Sequence, residues 1–450
     1  MSYKTFESYQ DSLIRWIGEI PHEWSVIRLK FLLDVISGGC WGDEDNDDTG
    51  TFVLRSTEIT LDGKWSINNP AKRQLKNDEL SKCLLKENDL LVTKSSGSEK
   101  HIGKTAIVTK DVENLNCCFS NFMTRLHTND KFNPKLLYYL LNSIIVKSQF
   151  NYMSNSTVGL SNLNDDSFKR LVLPFMEMEY QNCIVSYLDK KTSEIDENIA
   201  KNKELISLLE EKKTALINQV VTKGLDHDVP MKDSGIEWIG EIPEHWGIFK
   251  LKHICDTFGR IGFRGYTSSD LVSEGEGAYT IGGKHIQNNK LDLSDPEYLS
   301  WEKYYESPEI MVELNDLIIT QRGTLGKTAF IDEQIGPATI NPSMILLKNV
   351  SCNPKFLYYF LCSSFIINNI NLLNTQTAVP MISQEQANNF IVLLPDVNEQ
   401  NDISEYLDKK IESIEKTIEK VQENIDLLDE YKTSLIHHVV TGKIDVRDEV

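Results

Sequence analysis

The chain is a tandem repeat of about 220 residues, and this duplication restricts its fold more than any other feature of the sequence. The hexapeptide WIGEIP at residues 16–21 recurs letter for letter at residues 238–243. Further blocks match in the same order: residues 103–106 with 326–329, 133–139 with 353–359, 187–191 with 406–410, and 220–222 with 439–441. Chance does not produce collinear matches of this kind, so the sequence predicts two copies of one structural unit.

The first part of each half is predicted to be a mixed α/β (α+β) domain. Short alternating runs at residues 89–93 and 316–320 are typical of strands. Apolar patches at residues 134–146 and 354–367 each begin with a proline, which is favoured in the first turn of a helix. The intervening loops differ, for example at residues 51–60 and 278–286. The frame therefore repeats while its loops diverge.

The second part of each half is predicted to be a long coiled-coil helix. Residues 179–222 and 399–441 contain no proline, and apolar residues recur there at a seven-residue period. The predicted interface positions are Leu188, Ile195, Leu209 and Leu216 in the first helix and Leu407, Ile411, Ile414, Ile418, Val421, Ile425, Leu428 and Leu435 in the second. A helix of roughly 42 residues spans about 60 Å. We expect the two helices to pack antiparallel between two globular domains with pseudo-two-fold symmetry. The alternative is that each helix packs on its own domain.

These patterns define six segments. They are residues 1–178 (globular domain 1), 179–222 (helix 1), 223–233 (linker), 234–397 (globular domain 2), 398–441 (helix 2) and 442–450 (tail).

No motif for catalysis is found in the sequence. The Gly103-Lys104-Thr105 and Gly326-Lys327-Thr328 blocks resemble part of a phosphate-binding loop, but the required first glycine is displaced in one copy and is Gln321 in the other. Apolar strand-like residues follow both blocks, which favours a turn between strands.

Other catalytic and metal motifs are incomplete. The NPSM sequence at residues 341–344 lacks the second proline and the aromatic ring that amino-methyltransferases use for a flipped base. The Glu211-Lys212-Lys213 run lies in the predicted coiled coil, and His437-His438 lies near a helix C-terminus. The histidines and the 8 cysteines show no metal-ligand spacing, which favours reduced thiols. The sequence predicts no metal site, no cofactor in this chain and no enzymatic activity of its own.

The divergent loops carry polar side chains suited to DNA. Arginine and lysine pair with guanine, glutamine with adenine, and serine and threonine with phosphates. The candidate DNA-binding residues are Arg55, Lys94, Ser95, Ser96, Lys100, His101 and Thr157 in the first half and Arg264, Lys284, His285, Gln321, Arg322 and Thr377 in the second. Because the loops of the two halves differ, we expect two different half-sites.

Charge and hydropathy limit the partners and the location. The net charge of -20 argues against a generic nucleic-acid coat but leaves room for a local basic groove. No apolar run reaches the roughly 20 residues that cross a bilayer, and the N-terminus shows no secretory signal. We expect a cytoplasmic protein without a membrane partner.

Taken together, the repeated motifs resemble specificity (S) subunits of type I restriction–modification systems. The resemblance rests on the WIGEIP openings with Trp24 and Trp246, on residues 316–327, and on the tail at residues 394–408. It covers essentially the whole chain. The first copy departs from the pattern at residues 95–101 and 178–181.

The resemblance implies two recognition domains that each read half of a bipartite, asymmetric double-stranded DNA target. It also implies two modification subunits that methylate adenine with S-adenosylmethionine, and two restriction subunits that use ATP and Mg²⁺. Two alternatives remain open. One is a single-chain methyltransferase or nuclease with an unrecognised site, and the other is a coiled-coil scaffold without a DNA role.

Overall fold

A computed structural model describes residues 3–96, 98, 101–153, 161–260, 265–373 and 380–449. The chain forms two compact units, one built from Met1–Asn202 with Glu423–Val450 and the other from Lys203–Gln422. Both boundaries fall within long helices. Each unit therefore contains one globular domain and part of each long helix.

The first unit mixes short strands with short helices and ends in a long helix. Its strands are β1 (Tyr9–Asp11), β2 (Glu19–Pro21), β3 (Ser25–Arg28), β4 (Leu33–Gly38), β5 (Asp43–Glu44), β6 (Thr51–Leu54), β7 (Ala71–Gln74), β8 (Leu90–Thr93), β9 (Ser95–Ser96), β10 (Thr105–Ile107), β11 (Cys118–Phe119), β12 (Met123–Thr128), β13 (Ser161–Asn162) and β14 (Val172–Phe175). Its helices are α1 (Asn77–Cys83), α2 (Lys110–Asn114), α3 (Pro134–Asn142), α4 (Ile144–Met153), α5 (Asp165–Arg170) and the start of α6 (Met178–Lys223).

The second unit repeats this plan. Its strands are β15 (Met231–Asp233), β16 (Glu241–Pro243), β17 (Gly247–Lys250), β18 (Asp256–Phe258), β19 (Leu271–Val272), β20 (Gly277–Ile281), β21 (Ile286–Gln287), β22 (Lys290–Leu291), β23 (Tyr298–Ser300), β24 (Leu317–Thr320), β25 (Thr328–Phe330), β26 (Ala338–Ile340), β27 (Met344–Lys348) and β28 (Ile391–Leu394). Its helices are α7 (Trp301–Tyr305), α8 (Pro354–Leu361), α9 (Ser364–Leu373), α10 (Gln384–Asn388) and the start of α11 (Val397–Val440).

The central sheets confirm both the mixed α/β class and the repeat. The first unit has a four-stranded sheet in the order β10-β8-β12-β4, and the second has the equivalent order β25-β24-β27-β18. All pairs in these sheets are antiparallel. A second four-stranded sheet in each unit contains one parallel pair, β6 with β11 and β20 with β26. The residues of β8 and β24 are buried throughout, so these strands lie at the centre of each domain.

The predicted helical patches are each broken into two helices, where the sequence pattern suggested one. Ser143 adopts an extended conformation between α3 and α4, and its hydroxyl donates to the Leu140 carbonyl at 2.6 Å. Ser363 makes the same bond to Phe360 between α8 and α9. A serine hydroxyl that bonds a nearby carbonyl competes with the helical ladder, although Ser81 makes such a bond inside α1 without breaking it.

Helices α6 and α11 extend over 46 and 44 residues, close to the predicted segments. In the first unit they run antiparallel, because Asp196 pairs with Lys432 while Tyr180 bonds Asp445. In the second unit, Lys213 pairs with Glu415, and Gly224 lies beside Glu399.

The predicted apolar stripe is largely shielded from solvent. Leu188, Ile195, Leu407, Ile411, Ile414, Ile425 and Leu435 are buried, and Leu209, Leu216, Ile418, Val421 and Leu428 are half-buried. However, Leu407 and Ile411 share one core with Trp246 and Phe356 of the globular domain. At this end the stripe also packs on its own domain, as the alternative interpretation proposed.

A glycine follows the end of each long helix within two residues and packs closely against a tryptophan-containing motif. Gly224 and Gly442 have φ of 72° and 71°, which are left-handed conformations that favour glycine. A β-carbon on Gly442 would stand 2.4 Å from Pro21, so the end of α11 fits tightly against the WIGEIP motif. Beyond it, the Asp445 amide donates to the Lys4 carbonyl at 2.8 Å, which joins the two chain termini in the first unit.

Among the described residues, no single helix is long and apolar enough to cross a membrane. Helices α8 and α9 reach the length and apolar composition of a membrane span only when they are taken together, and they are bent by 54° relative to each other.

Candidate nucleic-acid interface

The two Gly-Lys-Thr blocks form turns between antiparallel strands, as predicted. One connects β8 to β10 and the other connects β24 to β25. The buried Lys104 ammonium donates to the carbonyls of Ser56 and Ile59 at 2.9 and 2.6 Å, and burial lowers the pKa of Lys104. Lys327 donates to the Ile286 carbonyl at 3.2 Å. These lysines hold neighbouring backbone rather than facing a phosphate.

A strand-end segment follows each central strand, and both were selected from the sequence. Lys94–Ser96 follow β8, and Gln321–Arg322 follow β24. The Lys94 amide donates to the Phe122 carbonyl at 3.0 Å, and the Gln321 amide donates to the Ser343 carbonyl at 2.8 Å. The Lys94 and Gln321 carbonyls each accept from a later segment, from Leu163 and Ile382 respectively. The structure therefore brings these candidates to equivalent positions in the two domains.

Arg322 is an exposed candidate in the second domain. Its side chain is exposed, and its Nε donates to the Met381 thioether sulfur at 3.3 Å. Because a thioether is a weak acceptor, the guanidinium retains donors for the edge of a base or for a phosphate. The neighbouring Gln321 is largely buried, and its amide donates to the carbonyls of Pro342 and Met344. Gln321 thus holds the turn that positions Arg322.

The first domain places different chemistry at the same position. Lys94 is half-buried, and its ammonium lies beside Gly38. The distance from the ammonium to the position of a β-carbon built on Gly38 is 3.5 Å. Ser95 and Ser96 belong to β9, which pairs with β13. The Ser96 hydroxyl accepts from the Ser98 amide at 3.3 Å, and half-buried His101 follows this turn. A lysine and two serines here replace the glutamine and arginine of the second domain.

Three other candidates, Arg55, Lys284 and His285, are held by local contacts. The Arg55 guanidinium bonds the buried Glu58 carboxylate and the Asn69 carbonyl. Lys284 forms ion pairs with Asp295 and Glu297 at 2.9 and 3.1 Å.

His285 is only 2% exposed. Its Nδ1 accepts from the Gly282 amide at 2.9 Å, and its Nε2 donates to the Asp295 carbonyl at 3.1 Å. Both ring nitrogens are engaged with the backbone, so the structure assigns His285 to loop support. Residue type alone gave no sign of this burial.

Lys100, Thr157, Arg264 and Thr377 lie outside the described residues. They remain predictions.

The repeated blocks have a role that the sequence did not reveal, because they dock each domain on its helix. The Asn133 amide donates to the Gln181 side chain at 2.8 Å, and the Asn353 amide donates to Gln400 at the same distance. Lys135 and Lys355 pair with Asp189 and Asp408. The signal was present in the sequence, since residues 133–139 and 187–191 both recur. Recurrence alone did not show that they touch.

Comparisons with known proteins agree with this organisation. A family model for the type I restriction modification DNA specificity domain matches residues 21–207 and 243–424. The chain is 28% identical over 436 residues to a Methanocaldococcus jannaschii protein designated the specificity subunit of type I restriction enzyme MjaX, with 96% of each chain covered. It is 26% identical over 443 residues to the MjaVIII specificity subunit of the same organism, with 95% of each covered. The EcoKI specificity subunit of Escherichia coli is 21% identical over 406 residues, with 86% of this chain and 82% of the relative covered.

Two solved structures share the fold. A chain from a study of complex assembly and conformational transition in a type I restriction–modification system matches with a TM-score of 0.70 at 16% identity. The HsdS subunit from Thermoanaerobacter tengcongensis matches with a TM-score of 0.50 at 17% identity. Each match covers 94% of this chain and 98% of the solved chain.

Proposed function

Since the chain belongs to the type I restriction–modification DNA specificity family, we propose that each of its recognition domains reads one half of a bipartite, asymmetric double-stranded DNA target. The chain is a specificity subunit, and catalysis resides in its partner subunits. Its own contribution is the choice of DNA sequence.

One observation carries the half-site proposal. The two domains share a frame down to single hydrogen bonds, yet the strand-end segments at equivalent positions present different side chains. The exposed Arg322 occupies this segment in the second domain, and Lys94–Ser96 occupy it in the first. An arginine that bonds guanine bidentately discriminates against other bases. We therefore assign Arg322 to base recognition and Lys94 to a phosphate or base contact.

The proposal narrows the set of contact residues. Arg322, Lys94, Ser95, Ser96 and His101 remain as direct contacts. Arg55, Lys284, His285 and Gln321 become supports of the recognition loops, since their polar groups bond neighbouring protein atoms. Lys100, Thr157, Arg264 and Thr377 stay among the proposed contacts on sequence grounds alone.

The proposed assembly contains two modification subunits and two restriction subunits in the cytoplasm. The modification subunits would supply S-adenosylmethionine-dependent adenine methylation, and the restriction subunits would supply chemistry that depends on ATP and Mg²⁺. Support comes from family membership and from the two similar units, which offer two equivalent docking frames to paired partners.

A reconstitution experiment tests this function. The purified chain, its modification subunit and both together are incubated with plasmid DNA and labelled S-adenosylmethionine. We expect methyl transfer at one bipartite motif only when both proteins are present. Methyl transfer by the chain alone would support the single-chain enzyme alternative. The isolated chain should also bind DNA with an affinity that falls steeply with salt. Absence of such binding with and without the partner would support a scaffold without a DNA role.

A further inference from the structure

In each unit, a carboxylate on one long helix joins two lysines. Asp196 on α6 accepts from Lys64 of the globular domain at 2.7 Å and from Lys432 on α11 at 2.6 Å. In the second unit, Glu415 on α11 pairs with Lys290 of the globular domain at 2.5 Å and lies 3.7 Å from Lys213 on α6, whose ammonium also pairs with Glu210 of α6 at 2.7 Å. We call each set a Lys–carboxylate–Lys bridge. Each bridge links one globular domain to both long helices.

The two bridges occupy equivalent positions in the repeat. The alignment that pairs Tyr187 with Tyr406 also pairs Asp196 with Glu415 and Lys213 with Lys432. The helices exchange roles, because α6 supplies the carboxylate in the first unit and α11 supplies it in the second. The side chain changes from aspartate to glutamate, while the negative charge and both lysine partners are retained. Two copies of one arrangement in divergent halves point to a shared purpose.

The lysines from the globular domains lie in segments that contact the turns after the strand-end segments. Lys290 stands on β22, which pairs with β21. The carbonyl of Ile286 in β21 accepts from Lys327, which lies in the turn after Arg322. In the first unit, the backbones of Ile59 and Trp65 form an antiparallel β-bridge, and Lys64 lies between these two residues in the chain. The Ile59 carbonyl accepts a hydrogen bond from Lys104. A short chain of contacts therefore runs from each long helix to the segment proposed to read DNA.

Solvent exposure and charge determine how strongly the groups of each bridge interact. The helix lysines Lys213 and Lys432 are only 15% and 16% exposed, so water competes weakly for their ammonium groups, whereas the domain lysines Lys64 and Lys290 are 50% and 63% exposed. Burial disfavours the ionised form of Asp196, but hydrogen bonds from Lys432 and Lys64 outweigh this effect and hold its pKa below the usual value. A single exposed ion pair contributes little. One carboxylate shared by two lysines instead resists a change in the angle between domain and helices.

We infer that Asp196 and Glu415 are positioning residues that fix the angle of each recognition domain on the long helices. This inference rests on the proposed half-site function. A domain held at the wrong angle can still read its own half-site. Such a domain binds poorly to the complete target, because both half-sites must then be engaged at a fixed spacing. Loss of a bridge should therefore weaken binding to the complete target and spare binding to a half-site.

The test uses Glu415→Gln, which keeps the side-chain size and removes the charge. Glu412→Gln is the matched control, because Glu412 lies one turn earlier and pairs within its own helix with Lys416. Asp196→Asn with the control Glu197→Gln repeats the test in the first unit, since Glu197 pairs with Lys201. Each variant is assembled with the modification subunit, and fluorescence anisotropy measures its affinity for duplexes carrying the complete target or one half-site.

We expect Glu415→Gln to weaken binding to the complete target about threefold to tenfold and to leave half-site binding within about twofold. Glu412→Gln should match the wild type on both duplexes. Equal behaviour of Glu415→Gln and Glu412→Gln, or equal loss on both duplexes, would overturn the positioning role. A wild-type complex that binds neither duplex specifically would instead refute the half-site function.

Hydrogen exchange measured without DNA tests the positioning role separately from the half-site function. Hydrogen exchange of residues 286–291 reports how firmly the β21–β22 hairpin is held. Glu415→Gln should accelerate exchange there, and Glu412→Gln should not. Unchanged exchange in Glu415→Gln would contradict the bridge whatever the DNA result.

Discussion

The hydroxyl of Tyr139 on α3 donates a hydrogen bond of 2.8 Å to the carboxylate of Asp189 on α6. Tyr359 on α8 makes the same bond to Asp408 on α11. Each bond joins two sequence blocks that recur in both halves of the chain. These blocks hold a recognition domain on its helix, which explains why they match while the loops between them diverge.

Removing one of these hydroxyls should destabilise one unit. Tyr359→Phe is expected to cost about 1 kcal/mol, because it deletes a bond to a half-exposed carboxylate that water can partly replace. Differential scanning calorimetry would show a lower Tm, with Tyr305→Phe as the exposed control in the same unit. A Tm equal to that of the control would mean that the bond contributes nothing to docking.

Arg322→Ala should weaken or relax recognition of one half-site by roughly 1–3 kcal/mol if the guanidinium contacts a base. Mapping of methylated adenines would show degeneracy at one position of that half and no change in the other half. Lys303→Ala removes a partly exposed cation of the same domain that pairs with Glu306, and it should leave the motif intact. An unchanged motif and affinity in Arg322→Ala would identify Arg322 as an ordinary surface residue.

His285→Ala should lower stability by about 2 kcal/mol without changing the recognised sequence, because the buried ring loses its bonds to the Gly282 amide and the Asp295 carbonyl. Thermal unfolding measures the stability, and methylation mapping reads the sequence. A changed motif in a variant of unchanged stability would restore His285 to the set of base contacts.

The first unit should lose stability in acid partly through Asp196. Its folded-state pKa lies below the usual value because hydrogen bonds from Lys432 and Lys64 outweigh burial. A depressed pKa contributes stability above the unfolded-state value, and this contribution disappears as pH falls through the folded-state value. Asp196→Asn should therefore unfold at a lower temperature at pH 7 and lose less stability between pH 5 and pH 3. Parallel pH profiles of the variant and wild type would contradict this assignment.

Much of the fold could be predicted because apolar periodicity and repetition are local properties of sequence. The runs at residues 89–93 and 316–320 became β8 and β24, and the proline-free segments became α6 and α11. The breaks at Ser143 and Ser363 were missed because the apolar pattern continues across both serines.

The candidate site was only partly predictable. Residue type selected Arg322 and His285 alike, yet one is exposed and the other is buried. Burial depends on packing between segments far apart in the chain. The Lys–carboxylate–Lys bridges were missed for the same reason, since Lys64 and Lys432 meet only in the folded unit.

The most direct test of the central claim exchanges residues 247–395 for those of a related specificity subunit. Methylated adenines are then mapped by single-molecule sequencing in cells that also carry the modification subunit. We predict that the sequence of one half of the bipartite motif changes and that the sequence of the other half stays the same. A change in both halves, or in neither, would contradict the assignment of one half-site to each domain.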